Sequence, residues 1–170
     1  KNNGYDRCVI GRDNRSSSLP LSEALIQGII EGDNIEVIDI GLVTTPMYYY
    51  GQIFLNDGKN IMPGIMITAS HNPKEYNGMK MTVNDFGNAC GEMIQQFRRF
   101  VEENSKKEVN NERDVIGHVV KENVREGYLN LVKKSIDLGD KKIKAVVDTA
   151  NGTASIIAQE MFDMFKDKIE

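Results

Sequence analysis

The stretch PGIMITASHNP, residues 63–73, decides the fold. Its first part, residues 63–68, is almost continuously apolar, which is typical of a strand covered on both faces of a sheet. A loop with hydroxyl and imidazole side chains follows, and Pro73 disfavours helical geometry at Asn72. The stretch therefore predicts a buried strand whose carboxyl end presents Ser70 in a loop.

Outward from this strand, runs with strand character alternate with segments of helical periodicity. The predicted strands cover residues 7–10, 35–40, 63–68, 78–83, 114–120 (an edge strand) and 142–147. The predicted helices cover residues 19–32, 45–55, 91–104, a stretch around 124–136, and 151–165. The alternation favours an α/β fold, a three-layer α/β/α domain with a mixed sheet over residues 1–121. Residues 122–170 are then a linker helix and the first β-α unit of a second, similar domain.

Two helices carry specific expectations. Thr45 is predicted to be an N-cap with Pro46 at the first helical position. The helix over residues 91–104 is predicted to turn its apolar side chains inward. These side chains are Met93, Phe97, Phe100 and Val101.

Composition narrows the classes of function that the chain could have. The 170 residues are 40% hydrophobic and 27% charged, as in a globular protein, with a net charge of −4. Without a long basic run, nucleic-acid binding is not indicated, and no apolar run has the length of a membrane span. Cys8 and Cys90 are predicted to be free thiols in a reducing cytoplasm.

Two loops that leave strand ends carry the polar residues. The loop over residues 11–18 contributes Arg12, Asp13, Arg15 and three serines. The loop over residues 68–78 contributes Ser70, His71, Asn72, Lys74 and Asn77, with Lys80 just beyond. In open α/β sheets, ligands bind outside the carboxyl ends of strands. A nucleophilic oxygen beside cations and backbone donors is suited to handling a phosphate.

Taken singly, these residues have ordinary interpretations. Loop serines most often cap or bond locally, His71 could be a surface histidine, and Arg15 could be a solvated charge. Lys80 lies in a short strand between Met79 and Met81, so its side chain should leave on the opposite face, toward solvent or a cleft.

The spacing of four segments, in order, resembles the α-D-phosphohexomutase family, in particular its phosphomannomutase/phosphoglucomutase members. GIMITASHNPKEYNGMK (residues 64–80) is similar to the family's phosphoserine loop. IGRDNRSS (10–17), DIGLVTTP (39–46) and VVDTANGTA (146–154) are similar to three further segments, the last of which opens the family's second domain.

The resemblance implies an enzyme, an intramolecular phosphotransferase that interconverts hexose 1-phosphate and hexose 6-phosphate through a hexose 1,6-bisphosphate. By motif, Ser70 would carry the phosphoryl group, and an oxygen of that phosphate would coordinate Mg²⁺. His71 and Lys80 would assist proton transfer or hold charge. Arg15 would fix the phosphoserine loop. The resemblance also implies a phosphoglucomutase domain I type of fold.

The family has four domains, so the chain would hold the first, lacking its first strand, and a truncated start of the second. The partners would be a hexose phosphate and the missing domains II–IV. The chain alone is expected to be inactive, and its unpaired sheet edge invites dimerisation. Two alternatives stay open: phosphoglucosamine mutase, and a non-catalytic α/β module that binds a sugar phosphate. A serine hydrolase using Ser70 and His71 is disfavoured, because adjacent side chains on an extended segment point apart.

Overall fold

A computed structural model describes residues 5–32, 34–56, 58, 60–84, 87–105 and 117–170. Up to residue 135, its strands and helices follow the alternation that the sequence predicts. The strands are β1 (Arg7–Arg12), β2 (Glu36–Leu42), β3 (Gly64–Ile67), β4 (Met79–Asn84), β5 (Gly87–Asn88) and β6 (His118–Lys121). The helices are α1 (Ser18–Gly32), α2 (Thr45–Phe54), α3 (Glu92–Asn104), α4 (Arg125–Ser135) and α5 (Ala158–Asp163), with a 3-10 turn at Thr153–Ile156.

The strands form one mixed sheet in the order β5-β4-β3-β1-β2-β6. β1 pairs in parallel with β2 and β3, and β2 pairs in parallel with β6. β4 is antiparallel to β3, and β5 is antiparallel to β4. The parallel centre sends the carboxyl ends of β1, β2 and β3 to one edge of the sheet, where their loops meet.

The main core lies between the sheet and α2. Val9, Ile38 and Met66 on the sheet pack with Met47 and Tyr48 of α2, and all five side chains are buried. Cys8 and Ile65 alternate with this set and face the opposite layer, where Ile29 of α1 lies. The predicted three-layer mixed α/β fold is confirmed.

The prediction that Thr45 is the N-cap of α2 is wrong. The cap is Thr44, with extended backbone, and Pro46 lies in the first turn. The sequence has two consecutive threonines before Pro46, and either of them could be the N-cap. The side chain of Thr44 makes no capping hydrogen bond, so hydrogen bonding does not distinguish the two threonines.

The predicted inward face of α3 is wrong. Met93, Phe97, Phe100 and Val101 are 39%, 48%, 63% and 45% exposed. Phe97 and Phe100 border an apolar cavity of about 710 Å³ rather than a filled core. Periodicity shows that a helix has an apolar face, but it does not show how closely that face approaches the sheet.

The expected β-α unit after α4 is also different. Residues 142–147 form no strand; a single bridge pairs Ile143 with Ile169, and Val146 is fully exposed. The predicted helix over residues 151–165 is divided into the 3-10 turn and α5. The edge-strand prediction holds only in part, because residues 114–116 lie outside the described residues and β6 begins at His118.

Among the described residues, no helix combines the length and apolar character that crossing a bilayer requires. Dimerisation through a sheet edge stays a prediction.

Candidate functional site

A cavity of about 730 Å³ opens where the predicted polar loops meet. Four segments line it: residues 13–16 after β1, 43–46 after β2, 68–74 after β3, and 150–154. Ser70, His71 and Arg15 lie in this lining together, as the two-loop hypothesis predicts.

Ser70 is exposed at the cavity and has an uncommon backbone conformation. Its φ is 56°, in the left-handed region that non-glycine residues seldom occupy. Its N–H donates to Oγ1 of Thr68 at 3.0 Å, and Asn72 N donates to the Ala69 carbonyl at 3.0 Å. The surrounding bonds therefore hold a strained backbone, an arrangement that occurs preferentially at functional sites.

Arg15 holds the loop that contains Ser70. Its Nη1 donates to the carbonyl oxygens of Pro73 (2.7 Å) and Tyr76 (3.1 Å), and its Nη2 donates to those of Ser70 (2.9 Å) and Asn72 (2.8 Å). A guanidinium has five N–H donors. Since Nε donates to Asp13, all five are used within the protein.

Asp13 in turn orients Arg15. The carboxylate accepts bonds from the backbone N–H and Nε of Arg15, both at 3.1 Å, and from the hydroxyl of Ser18. Asp13 is 6% exposed and Ser18 is fully buried. A buried carboxylate needs such partners to remain charged, so this part of the first loop is a fixed support for the second.

Asn77 supplies a second tie between the loops. Its Nδ2 donates to the hydroxyls of Ser17 and Ser18, both at 2.9 Å, and its Oδ1 accepts from Gly78 N at 2.8 Å. Ser17 and Ser18 therefore act as acceptors for the second loop.

His71 lies closer to Ser70 than the sequence argument allows. Its Nδ1 is 3.4 Å from Ser70 Oγ. The prediction that the two side chains point apart assumed an extended backbone, whereas the backbone of Ser70 is left-handed. In the part of the chain that the structure describes, no carboxylate bonds to His71, so the oriented third group of a hydrolytic triad is not found there.

Lys80 is not among the residues that line the cavity. It pairs with Met66 across β3 and β4, while Met81 faces the apolar cavity on the other side of the sheet. The predicted alternation with its methionine neighbours is therefore present. The catalytic role of Lys80 stays a prediction.

The fourth segment of the cavity lining, residues 150–154, was not predicted to be part of the site. Asn14 Nδ2 donates to the Asn151 carbonyl at 2.9 Å, the Thr153 hydroxyl donates to Asn14 Oδ1 at 2.9 Å, and Asn14 N donates to that hydroxyl at 3.3 Å. Ala150 and Asn151 have left-handed φ values of 46° and 61°. The asparagine-glycine pair in the sequence signals a turn, but not its contact with the first loop.

The part of the chain that the structure describes supplies few ligands for a metal ion. Among the described residues there is no group of three or more His, Cys, Asp and Glu side chains that could hold one. Asp13, a carboxylate of the cavity lining, accepts hydrogen bonds from Arg15 and Ser18. These residues do not by themselves fit a Mg²⁺ site.

Comparisons with known proteins agree with the fold. Residues 1–108 match the family described as phosphoglucomutase/phosphomannomutase, alpha/beta/alpha domain I. The chain is 39% identical over 153 residues to a probable phosphoglucosamine mutase of Pyrococcus abyssi, covering 89% of this chain and 32% of the relative. It is 35% identical over 157 residues to a phosphomannomutase/phosphoglucomutase of Pseudomonas aeruginosa, covering 92% and 31%.

A solved structure gives the same picture. The crystal structure of a phosphoglucomutase/phosphomannomutase family protein from Burkholderia thailandensis superposes with a TM-score of 0.81 at 28% identity, covering 99% of this chain and 35% of that one. The chain thus spans about a third of the length of the relatives it matches.

Proposed function

We propose, from the premise that this chain belongs to the phosphoglucomutase/phosphomannomutase family, that the protein containing it interconverts hexose 1-phosphate and hexose 6-phosphate. Ser70 carries the phosphoryl group that is transferred. The observation that supports this most directly is the presentation of Ser70: an exposed hydroxyl in a strained backbone, at a cavity, in a loop whose carbonyls Arg15 holds.

The transfer is a displacement at phosphorus. A hydroxyl oxygen of the bound hexose monophosphate attacks the phosphorus on Ser70, a new P–O bond forms, and the bond from phosphorus to Ser70 Oγ breaks. A base takes the proton of the attacking hydroxyl, Ser70 Oγ takes up a proton as it leaves, and the product is a hexose 1,6-bisphosphate. After the bisphosphate has reversed its orientation in the site, the reverse reaction returns its other phosphoryl group to Ser70. Such chemistry asks a protein chiefly for positioning and charge stabilisation.

The residues of this chain have distinct parts in that reaction. His71 exchanges a proton with Ser70 Oγ in this proposal, and the distance of 3.4 Å between that oxygen and His71 Nδ1 supports the role. Lys80 is the alternative base or charge-holding residue, although it does not line the cavity. Arg15 acts as a positioning residue, because its donors are all used on the loop and on Asp13.

The proposal includes a metal and further domains. Mg²⁺ bound through an oxygen of the Ser70 phosphate would neutralise developing charge, and its remaining ligands come from outside this chain. The substrate-binding partners are likewise the other domains of the same protein, so the chain alone is inactive. Free Cys8 and Cys90 support a cytoplasmic location.

The sugar is mannose or glucose in our first proposal. The similarity to the Pyrococcus abyssi relative favours glucosamine as a second candidate. The complete protein should be assayed with glucose 1-phosphate, mannose 1-phosphate and glucosamine 1-phosphate, each with catalytic hexose 1,6-bisphosphate and Mg²⁺. Turnover of one sugar that Ser70→Ala abolishes is the expected result. Turnover by the 170-residue chain alone would contradict the expected inactivity, and absence of turnover in the complete protein would favour a non-catalytic sugar-phosphate-binding module.

A further inference from the structure

The cavity beside Ser70 contains an uncommitted positive charge that no step above uses. Three residues of its lining are of the acidic or basic types Asp, Glu, Lys and Arg: Asp13, Arg15 and Lys74. Asp13 and Arg15 neutralise one another in an ion pair at 3.1 Å, and every N–H of Arg15 is already donated. Lys74 is therefore the cation of this lining whose charge stays available.

The side chain of Lys74 is exposed, and no hydrogen bond or ion pair joins it to another of the described residues. Its ammonium group has three donors and no acceptor. Such a group at the edge of a cavity can bind an anion without first breaking a bond inside the protein.

The backbone that bears Lys74 is fixed although its side chain is not. Tyr76 N donates to the Pro73 carbonyl at 3.1 Å and closes a turn in which Lys74 is the second residue. Arg15 Nη1 donates to both of those residues' carbonyl oxygens, at 2.7 and 3.1 Å. The guanidinium of Arg15 therefore fixes the backbone at both Ser70 and Lys74. A fixed backbone reduces the entropy that is lost when Lys74 binds an anion.

We infer that Lys74 is a phosphate-binding residue of this cavity, and that its ligand is the dianion of a phosphate monoester. The inference rests on the proposed function, and it names a residue that the motif argument does not. Two phosphates share this chemistry: that of a bound hexose phosphate, and that carried by Ser70. Both would lie among the charged and titratable groups of this lining, namely Asp13, Arg15, His71 and Lys74.

The first arm of the test isolates the substrate phosphate. In the complete protein with Ser70→Ala, no transfer occurs, and the dissociation constant of glucose 1-phosphate is measured by calorimetry at about 20 and 200 mM salt. Lys74→Gln should raise that constant about tenfold at the lower salt, and should reduce its dependence on salt. Lys74→Arg, which keeps the charge, should stay within about threefold, and the exposed Lys134→Gln is the matched control that should change nothing.

The second arm isolates the phosphate on Ser70. In the phosphorylated protein, the second pKa of the phosphoserine, near 6 in ordinary surroundings, is followed by phosphorus NMR. If Lys74 contacts that phosphate, Lys74→Gln should raise this pKa by about half a unit, because a nearby cation favours the dianion. Either effect supports the inference and identifies the source of the phosphate.

Lys74→Gln without effect in both arms would overturn the inference. That result would leave the proposed function intact if Ser70 is phosphorylated. Conversely, a weaker binding of glucose 1-phosphate by Lys74→Gln in a protein whose Ser70 never accepts phosphate would preserve the inference and reject phosphoryl transfer. The two claims can therefore fail separately.

Discussion

The Nη2 atom of Arg15 lies 2.9 Å from the carbonyl oxygen of Ser70. The two residues are on loops that follow different parallel strands, β1 and β3, which are neighbours in the sheet. Through this bond and three more to the same loop, the first loop determines the conformation in which Ser70 is presented.

Replacing Arg15 by lysine should release the Ser70 loop. An ammonium cannot reproduce a planar set of five donors, so most of the bonds to the loop carbonyls are lost. We expect a free energy of unfolding lower by roughly 1–2 kcal/mol and at least about tenfold faster amide exchange over residues 70–76, measured by hydrogen exchange and urea denaturation. Arg98→Lys on the exposed face of α3 should leave both unchanged. Equal protection of the loop in Arg15→Lys would show that the guanidinium does not hold it.

The hydroxyl of Thr153 should connect the 150–154 turn to Asn14. Thr153→Val keeps the shape of the side chain but removes both hydrogen bonds to Asn14, whereas Thr153→Ser keeps the hydroxyl. We expect the valine variant to lose roughly 0.5–1.5 kcal/mol of unfolding free energy and the turn to exchange its amide protons faster. The serine variant should stay close to the parent. Identical exchange in the valine and serine variants would exclude the contact.

Two helical glycines should respond to alanine with opposite signs. At Gly127 an added Cβ would overlap the hydroxyl oxygen of Tyr50 and lie 2.9 Å from its Cζ. Tyr50 is stacked on Phe54 with ring centroids 4.6 Å apart, so it cannot move without cost. Overpacking of this kind lowers stability by about 1–3 kcal/mol.

Gly28 in α1 is the matched control, because an added Cβ there meets no atom within 4 Å. Gly28→Ala should raise the free energy of unfolding by about 0.5–1 kcal/mol, since glycine is a poor helix former. Urea denaturation of both variants measures the difference. Changes of the same sign would contradict the packing of α4 against α2.

Burial raises the pKa of the Cys8 thiol to about 11, from an ordinary value of 9.0. Since the thiolate is the reactive form, a maleimide at pH 8 should label the exposed Cys90 first and Cys8 slowly. Because the pKa is raised only in the folded chain, the Cys8 thiol of the unfolded chain loses its proton at a lower pH than that of the folded chain. Stability from this group is therefore complete below pH 9.0 and decreases as the pH rises toward about 11. Equal labelling rates for the two thiols in the native chain, determined by peptide mapping, would contradict this.

The central sheet could be predicted because residues 63–67 and 8–10 are apolar without interruption and are followed by polar loops. The meeting of those loops followed from the parallel arrangement alone. The left-handed backbone of Ser70 could not be predicted, because it depends on carbonyl oxygens fixed by Arg15, some 55 residues earlier in the chain. For the same reason, the approach of His71 to Ser70 was missed.

The predictions failed where tertiary contacts decide between local options. Residues 142–147 have strand composition, but the structure gives them a single bridge at Ile143 and one further backbone hydrogen bond at Ala145, too little pairing for a strand. The apolar face of α3 was identified, but Phe100 lies at a cavity edge rather than in a core. Lys74 is one of several polar residues that the sequence places in the second loop, and Asn14 has no signal in the sequence beyond polarity. Only the cavity that brings the loops together distinguishes these two residues from the other polar residues of the loops.

The central claim is that Ser70 carries the transferred phosphoryl group. The most direct measurement is peptide mass spectrometry of the complete protein, purified from its host and again after incubation with a hexose 1,6-bisphosphate and Mg²⁺. Our account predicts phosphate on Ser70, gained from the bisphosphate and lost when a hexose monophosphate is added. Ser70 that stays unmodified under both conditions would contradict the account, and the loop would then serve only to bind a phosphorylated ligand.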